Sequence, residues 1–160
     1  MAATGQRKSR KIGLICSAGG HLTDMLGLLP AFDGADLFLV TIAGPGGREK
    51  ELAQRFRVYG LPPIGLSPMC MLRTVPRAWR ILRSERPDVI VSTGSEIALP
   101  FFLLAKLTHT RSIYVECWCS VESRSGTGRL VYPLADAFFV QWPQLRSRYG
   151  PKARYEGGPL

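Results

Sequence analysis

The residues best suited to chemistry in this chain sit in short turns rich in small side chains. Ser17-Ala18-Gly19-Gly20-His21 follows an apolar run and opens a helical pattern. Two glycines let the backbone turn tightly and come close to a ligand, and the helix behind them offers free N–H groups and a positive dipole end. Ser17, Gly19 and Gly20 thus make a loop for phosphate or pyrophosphate, or else a tight turn with no ligand. His21, at the helix start, fits a general base, a hydrogen-bond partner for an anion, or a water-exposed helix terminus. Thr93-Gly94-Ser95-Glu96 repeats the logic of strand, small turn residues and helix; Ser95 or Glu96 fits a helix cap, and the turn can also line a pocket. Glu116 ends an apolar run, Ser112-Ile113-Tyr114-Val115-Glu116. A carboxylate there can take a proton, bind sugar hydroxyls, or cap nearby backbone N–H groups.

These turns need elements to hold them. The pattern predicts strands at 12–16, 37–42, 88–92, 112–116 and 137–141, the last in the chain, with a short extended piece at 63–66. Helical spacing is expected over 21–29, around 48–56, in a stretch ending near Arg83, and over 96–107 and 128–135. Leu22, Met25, Leu26 and Leu29 mark the first of these, at i, i+3, i+4, i+7. Runs such as Val89-Ile90-Val91 and Ala137-Phe138-Phe139-Val140 are apolar throughout, as in strands covered on both faces. Alternating strands and helices give an α/β, Rossmann-like, doubly wound parallel sheet. Ligands of such sheets bind beyond the carboxyl ends of the strands, which singles out the loops at 17–20, 44–47, 93–95 and 117–125.

Residues 1–11 read as a disordered basic leader and 12–160 as one domain, consistent with a chain of 160 residues. The net charge of +9 calls for an anionic partner: nucleic acid, a membrane surface or a phosphorylated substrate. Arg73, Arg77 and Arg80 fall at i, i+4, i+7, with Trp79, Leu72, Val75 and Leu82 beside them. That stripe suits docking on an anionic membrane, or a solvated helix face, with Pro76 in the first turn or at a kink. The longest apolar stretch, Ile97 to Leu107, is far shorter than the roughly twenty residues that span a bilayer. His109 reads as an exposed loop residue. Cys16 reads as a core thiol. No C-x-x-C pair occurs, and with two histidines no metal site is expected. Neither G-x-G-x-x-G nor a P-loop is present, which removes the usual support for NAD and ATP. G-x-S-x-G, zinc-finger and helix-turn-helix patterns are also missing, so serine-hydrolase chemistry and nucleic-acid binding lack their signatures.

Several segments taken together resemble a known family. They are Ser-Ala-Gly-Gly-His-Leu-Thr-Asp-Met at 17–25, Ser92-Thr93-Gly94-Ser95, Ile113-Tyr114-Val115-Glu116, the run Leu130 to Asp136, and Val140-Gln141-Trp142-Pro143. The family is the membrane-anchoring, acceptor-side subunit of the two-part UDP-N-acetylglucosamine transferase of dolichol-linked oligosaccharide assembly, with bacterial counterparts in exopolysaccharide and capsule synthesis. The resemblance implies half of a split, inverting, twin-Rossmann (GT-B type) glycosyltransferase that is inactive alone. A partner subunit would bind the UDP-sugar, so no cofactor is expected on this chain. This half would hold a polyprenyl-pyrophosphate-linked acceptor on the cytoplasmic face of a membrane. By likeness to the single-chain peptidoglycan N-acetylglucosaminyltransferase, Gly19, Gly20 and His21 would contact the acceptor phosphates and Glu116 would lie near the acceptor sugar. Glu116 is then slightly favoured over His21 as the base. The eukaryotic pattern has an N-terminal membrane anchor that this sequence lacks, which points to a bacterial origin. The competing readings are a non-catalytic scaffold for an active partner and a self-contained nucleotide-binding enzyme.

Overall fold

A computed structural model describes residues 9–42, 51–63 and 68–157. Its centre is a seven-stranded, all-parallel sheet in the order β3-β2-β1-β4-β5-β6-β7. The strands are β1 (Lys11–Ile15), β2 (Asp36–Ile42), β3 (Arg57–Leu61), β4 (Val89–Ser92), β5 (Arg111–Val115), β6 (Ala137–Phe139) and β7 (Ala153–Arg154). Between them run α1 (Gly20–Gly27) with a 3-10 turn at Leu29–Phe32, α2 (Pro68–Glu85), α3 (Ala98–Thr108), α4 (Gly126–Val131) and α5 (Pro143–Tyr149). The strand order reverses direction between β1 and β4. In a doubly wound sheet that reversal opens a crevice at the carboxyl ends of these two strands.

Side chains alternate across each strand, and here helices pack on both faces, so both sets are apolar. On one face Ile15, Phe38, Val40, Ile90, Tyr114 and Phe138 pack beneath α2, α3, α4 and α5. Tyr114 stacks on Phe138 at 5.0 Å between ring centroids. On the other face Ile12, Leu14, Cys16, Leu39 and Val91 meet Leu22 and Met25 of α1. Burial pushes the Cys16 thiol up to about 12, with the charge of Asp24 adding to it, which keeps the expected core thiol inert. This second face is only partly roofed. Beside β5 and β6 it carries an apolar groove of about 340 Å³, lined by Leu28, Phe32, Val91, Ile113, Val115 and Phe139 among others.

Several predicted elements move. The segment 57–61, for which no element is expected, is a parallel edge strand, and of the helix expected around 48–56 only residues 51–52 are helical within the described region. An edge strand with Arg57 and Gly60 exposed lacks the continuous apolar run that marks a central one. The loop 44–47 and most of the extended piece at 63–66 lie outside the described residues. The strand at 137 is not the last, since α5 and the two-residue β7 follow it. Of the residues assigned to the leader, Lys11 opens β1, and the Ser9 hydroxyl donates to the Gly34 carbonyl at 2.7 Å. Pro76 is in the interior of α2, not its first turn.

The end of α2 is fastened to the sheet edge by charge. Glu85, almost fully buried, accepts from the Tyr59 hydroxyl at 2.5 Å and pairs with Lys11 at 3.1 Å and Arg57 at 3.4 Å. Burial alone would raise its carboxyl. The hydrogen bonds from Tyr59 and Lys11 and the charges of Arg57 and Lys11 outweigh that and hold it below the ordinary 4.5. A carboxylate depressed in the folded state stabilises above its unfolded value, and the contribution disappears as pH falls through the folded value. Glu85→Gln is therefore expected to cost about 1–3 kcal/mol at pH 7, the range for leaving buried partners unpaired. Denaturant melts should show the difference shrinking below pH 4.5; a gap that persists unchanged into acid would refute it.

Candidate functional site: the crevice between the first and fourth strands

β1 ends at Ile15, and the chain turns through Ser17 and Gly19, whose φ of +86° favours glycine, into α1. No side chain caps α1, so the N–H groups of its first turn face the crevice without a protein capping oxygen among the described residues. β4 ends at Ser92 and is followed by Thr93, Gly94 and Ser95, all buried. The two turns hold each other. The His21 ring lies 3.0 Å, through Nδ1, from the Thr93 carbonyl, and the Thr93 hydroxyl donates to the His21 carbonyl at 2.6 Å. A carbonyl only accepts, so Nδ1 carries the proton in this contact, and in the neutral ring Nε2 keeps its lone pair.

Gly94 is what allows the ring to sit there. A Cβ at position 94 would stand 2.5 Å from His21 Cε1 and 2.7 Å from Nδ1, and its φ of +131° disfavours a side chain in any case. Gly94→Ala is expected to push the imidazole off Thr93. The histidine side-chain NMR signals should shift and activity should fall by at least about tenfold, as small misplacements of catalytic groups do. Unchanged signals would show that the ring does not rest on Gly94.

Of the readings open for Glu116, the structure shows the capping of nearby backbone N–H groups. Glu116 follows the last residue of β5, yet its side chain is 0% exposed. Oε1 accepts from the Cys117 N–H at 2.9 Å. Oε2 accepts from the Ser125 hydroxyl at 3.1 Å, the Ser125 N–H at 3.4 Å and, closest of all, the Tyr149 hydroxyl. Ser125 in turn caps α4 by accepting from Gly128 N–H at 2.8 Å. Burial, then the contact with Glu116, pushes the Tyr149 hydroxyl upward, so it remains a donor. The carboxyl group ties β5, the loop 117–125, α4 and α5 together and has no open approach for an acceptor hydroxyl. The sequence left such capping open but carried no signal of the Ser125 and Tyr149 side-chain partners, which are 9 and 33 residues from Glu116.

The fold also brings together residues that sequence spacing did not connect. His21, Asp24 and Cys117 each place a donor atom within 4.8 Å of the others. Trp118 N–H donates to Asp24 at 3.4 Å, and the Trp142 indole N–H donates to the Trp118 carbonyl at 2.8 Å, so loop 117–125 closes over the end of α1. His109 is exposed at the left-handed end of α3, remote in role from the crevice as expected.

Away from the crevice, α2 turns Arg73, Arg77, Arg80 and Trp79 outward together with Met69 and Leu72, while Ala78, Ile81 and Leu82 face the core. Leu72 is 64% exposed, an unusual position for a large apolar side chain on a basic helix. Among the described residues no helix is long and apolar enough to cross a membrane.

Comparison with known proteins places this arrangement. The family model of Alg14-like oligosaccharide biosynthesis proteins matches residues 53–158. The UDP-N-acetylglucosamine transferase subunit ALG14 of Eremothecium gossypii is 30% identical over 183 residues, covering 96% of this chain and 81% of that protein. The UDP-N-acetylglucosamine–N-acetylmuramyl-(pentapeptide) pyrophosphoryl-undecaprenol N-acetylglucosamine transferase of Lawsonia intracellularis is 29% identical, covering 89% of this chain but 42% of its own length. Among solved structures, Acinetobacter baumannii MurG superposes with a TM-score of 0.73 at 17% identity, over 94% of this chain and 46% of MurG. That likeness identifies the fold as one half of a twin-Rossmann, GT-B architecture. On the family match and the near full-length relative, this chain belongs to the Alg14-like family of oligosaccharide biosynthesis proteins.

Proposed function

We propose that this chain is the acceptor-binding, membrane-docking subunit of a split inverting glycosyltransferase. The reaction moves a sugar from a UDP-sugar to a polyprenyl-pyrophosphate-linked saccharide, in exopolysaccharide or capsule synthesis. The observation that carries the reading is the His21–Thr93 clasp at the switch point: Nδ1 is engaged by the Thr93 carbonyl, which leaves Nε2 without a protein partner among the described residues, beside the uncapped N-terminus of α1. The helix end and the Ser17–Gly20 turn suit a pyrophosphate. The relative in Lawsonia intracellularis acts, by its name, on a pyrophosphoryl-undecaprenol substrate.

In an inverting transfer the acceptor hydroxyl attacks the anomeric carbon as its proton leaves. Nε2 of His21 takes that proton, while Nδ1–H on the Thr93 carbonyl fixes the ring. Gly19, Gly20, Thr93, Gly94 and Ser95 shape the phosphate side of the crevice. Glu116 acts as a positioning residue for loop 117–125, reversing the order of preference that the sequence suggested. The UDP-sugar is bound mainly by the partner, and no cofactor is required of this chain.

A partner is favoured by the unroofed groove beside β5 and β6, whose apolar lining a single chain leaves in water. The names of the ALG14 relatives describe them as subunits. The purified chain is therefore expected to give no transfer from any UDP-sugar, and co-expression with a nucleotide-binding subunit should restore it. Turnover by the single chain, or a fully active complex containing His21→Ala and Glu116→Ala, would overturn the reading; the second result would make the chain a scaffold.

Docking follows from the exposed face of α2. Each basic residue near an anionic membrane contributes about 1 kcal/mol, so reversing Arg73, Arg77 and Arg80 to Glu should weaken partitioning onto anionic vesicles by roughly 100-fold or more. Circular dichroism should remain unchanged, because all three side chains are exposed. Undiminished sedimentation of the triple variant would move the docking surface elsewhere, with the exposed Leu103 and Leu107 of α3 as the next candidate.

A further inference from the structure

The loop after β5 brings two thiols to the crevice rim. The Cys117 and Cys119 sulfurs lie 2.8 Å apart, and Cys117 is one corner of the His21–Asp24–Cys117 triangle whose donor atoms lie within 4.8 Å of each other. Nothing in the transfer chemistry uses Asp24 or either cysteine. Asp24 has no lysine or arginine within ion-pair distance among the described residues, in a chain whose net charge is +9. An unmatched carboxylate beside two thiols and an imidazole is a donor set lacking its cation. The geometry points to a binding site for a thiophilic divalent cation, Zn²⁺ first among them, held by His21, Asp24, Cys117 and Cys119.

The ring orientation fits. Metal-binding imidazoles as a rule donate their second N–H to a carbonyl or carboxylate, and Nδ1 of His21 already does so at Thr93, leaving Nε2 for the metal. Zinc bonds of about 2.0–2.3 Å put neighbouring tetrahedral donors roughly 3.3–3.8 Å apart. The triangle must tighten by about 1 Å and the two sulfurs must separate by a similar amount, movements within reach of side-chain rotation. The loop is otherwise braced: Ser120 N–H donates to Cys117 O at 3.0 Å, and Glu116 holds its base. Two sulfurs and an imidazole exclude Mg²⁺ and Ca²⁺, which prefer oxygen. Burial pushes the free Cys117 thiol up to about 12, so the metal must displace that proton, as zinc and cobalt do when they bind thiolates. On the transferase reading, occupation would also take Nε2 out of the crevice, so metal and acceptor would compete; that consequence rests on the reading above, and the site itself does not.

Cobalt(II) tests the site without donor, acceptor or partner subunit. The reduced full chain should take up one Co²⁺, with the intense visible bands of four-coordinate cobalt and a near-ultraviolet thiolate charge-transfer band, both abolished by equimolar Zn²⁺. Cys117→Ser and Cys119→Ser should each lower the charge-transfer band and the double variant should lack it. His21→Ala and Asp24→Asn should each weaken binding by about tenfold or more, and Cys70→Ser should change nothing. Cys119 is exposed and its replacement leaves the core untouched, so the Cys119→Ser result stands even if Cys117→Ser misfolds. Six-coordinate cobalt with no thiolate band, or a band that survives in the double variant or disappears in Cys70→Ser, overturns the site. Wild-type affinity in both His21→Ala and Asp24→Asn overturns the four-donor set.

Discussion

His21→Ala in the assembled transferase is expected to lower kcat/KM by about 10²–10⁴-fold, the usual contribution of a positioned general base. The expectation rests on the neutral tautomer. Nδ1–H is committed to the Thr93 carbonyl at 3.0 Å, so the crevice is offered a lone pair at Nε2 rather than an N–H. His21→Gln separates the two roles open to this residue. Glutamine retains a polar group near a pyrophosphate but cannot take up a proton, so a binding role predicts partial rescue and a base role predicts none. The loss should fall in kcat, with the acceptor KM altered much less. A variant with normal kcat and a raised acceptor KM would show that the ring holds phosphate and that the base lies elsewhere. Thr93→Val gives an independent check. It leaves the carbonyl that orients the ring but removes the 2.6 Å bond to the His21 backbone, so a smaller loss in the same direction is expected.

What could be read from the residues alone depended on how local the determining forces are. The central strands were legible because burial on both faces demands uninterrupted apolar runs, as at Val89–Val91 and Phe138–Val140. With the helical spacing of Leu22, Met25 and Leu26, that was enough for a doubly wound parallel sheet with its ligand side at the loops 17–20, 44–47, 93–95 and 117–125, but not for the strand order that makes β1 and β4 neighbours. The edge strands β3 and β7 were not legible. The first holds Arg57 and Gly60 in the open, and the second is two residues long, so neither carries the pattern of a buried strand. The side-chain roles were less accessible still. His21 and Thr93 are separated by 72 residues, and their mutual hydrogen bonds exist only because the sheet order places β1 beside β4. The sequence shows a glycine at 94 but not that the His21 ring fills the space its side chain would occupy. Cysteine spacing counts only local pairs and so carried no sign of the grouping of His21 and Asp24, from one turn of α1, with Cys117.

Glu116→Gln is expected to act on stability first and on catalysis only through it. The residue accepts from four donors, those of Cys117, Ser125 (twice) and Tyr149, inside a site with no solvent access. Glutamine replaces one accepting oxygen with a donating NH₂, which sets donor against donor at one carboxylate position and strands buried groups at about 1–3 kcal/mol each. Two such groups give a loss of roughly 2–5 kcal/mol, below the sum of independent terms because the partners share one oxygen. For a domain of this size that corresponds to a melting temperature lower by roughly 5–15 °C. Gly128 lies directly against this cluster, where an added Cβ would meet the Tyr149 hydroxyl, Glu116 Oε2 and, at 2.8 Å, Ser125 Oγ; Gly128→Ala should therefore reproduce part of the same loss. Residual transfer by Glu116→Gln, measured well below its melting point, should keep the pH profile of the wild type, because the group that takes the proton is still present. A variant that melts like the wild type, yet loses about 10³-fold in kcat along with the basic limb of that profile, would make Glu116 the base and reduce His21 to the holder of the acceptor phosphates.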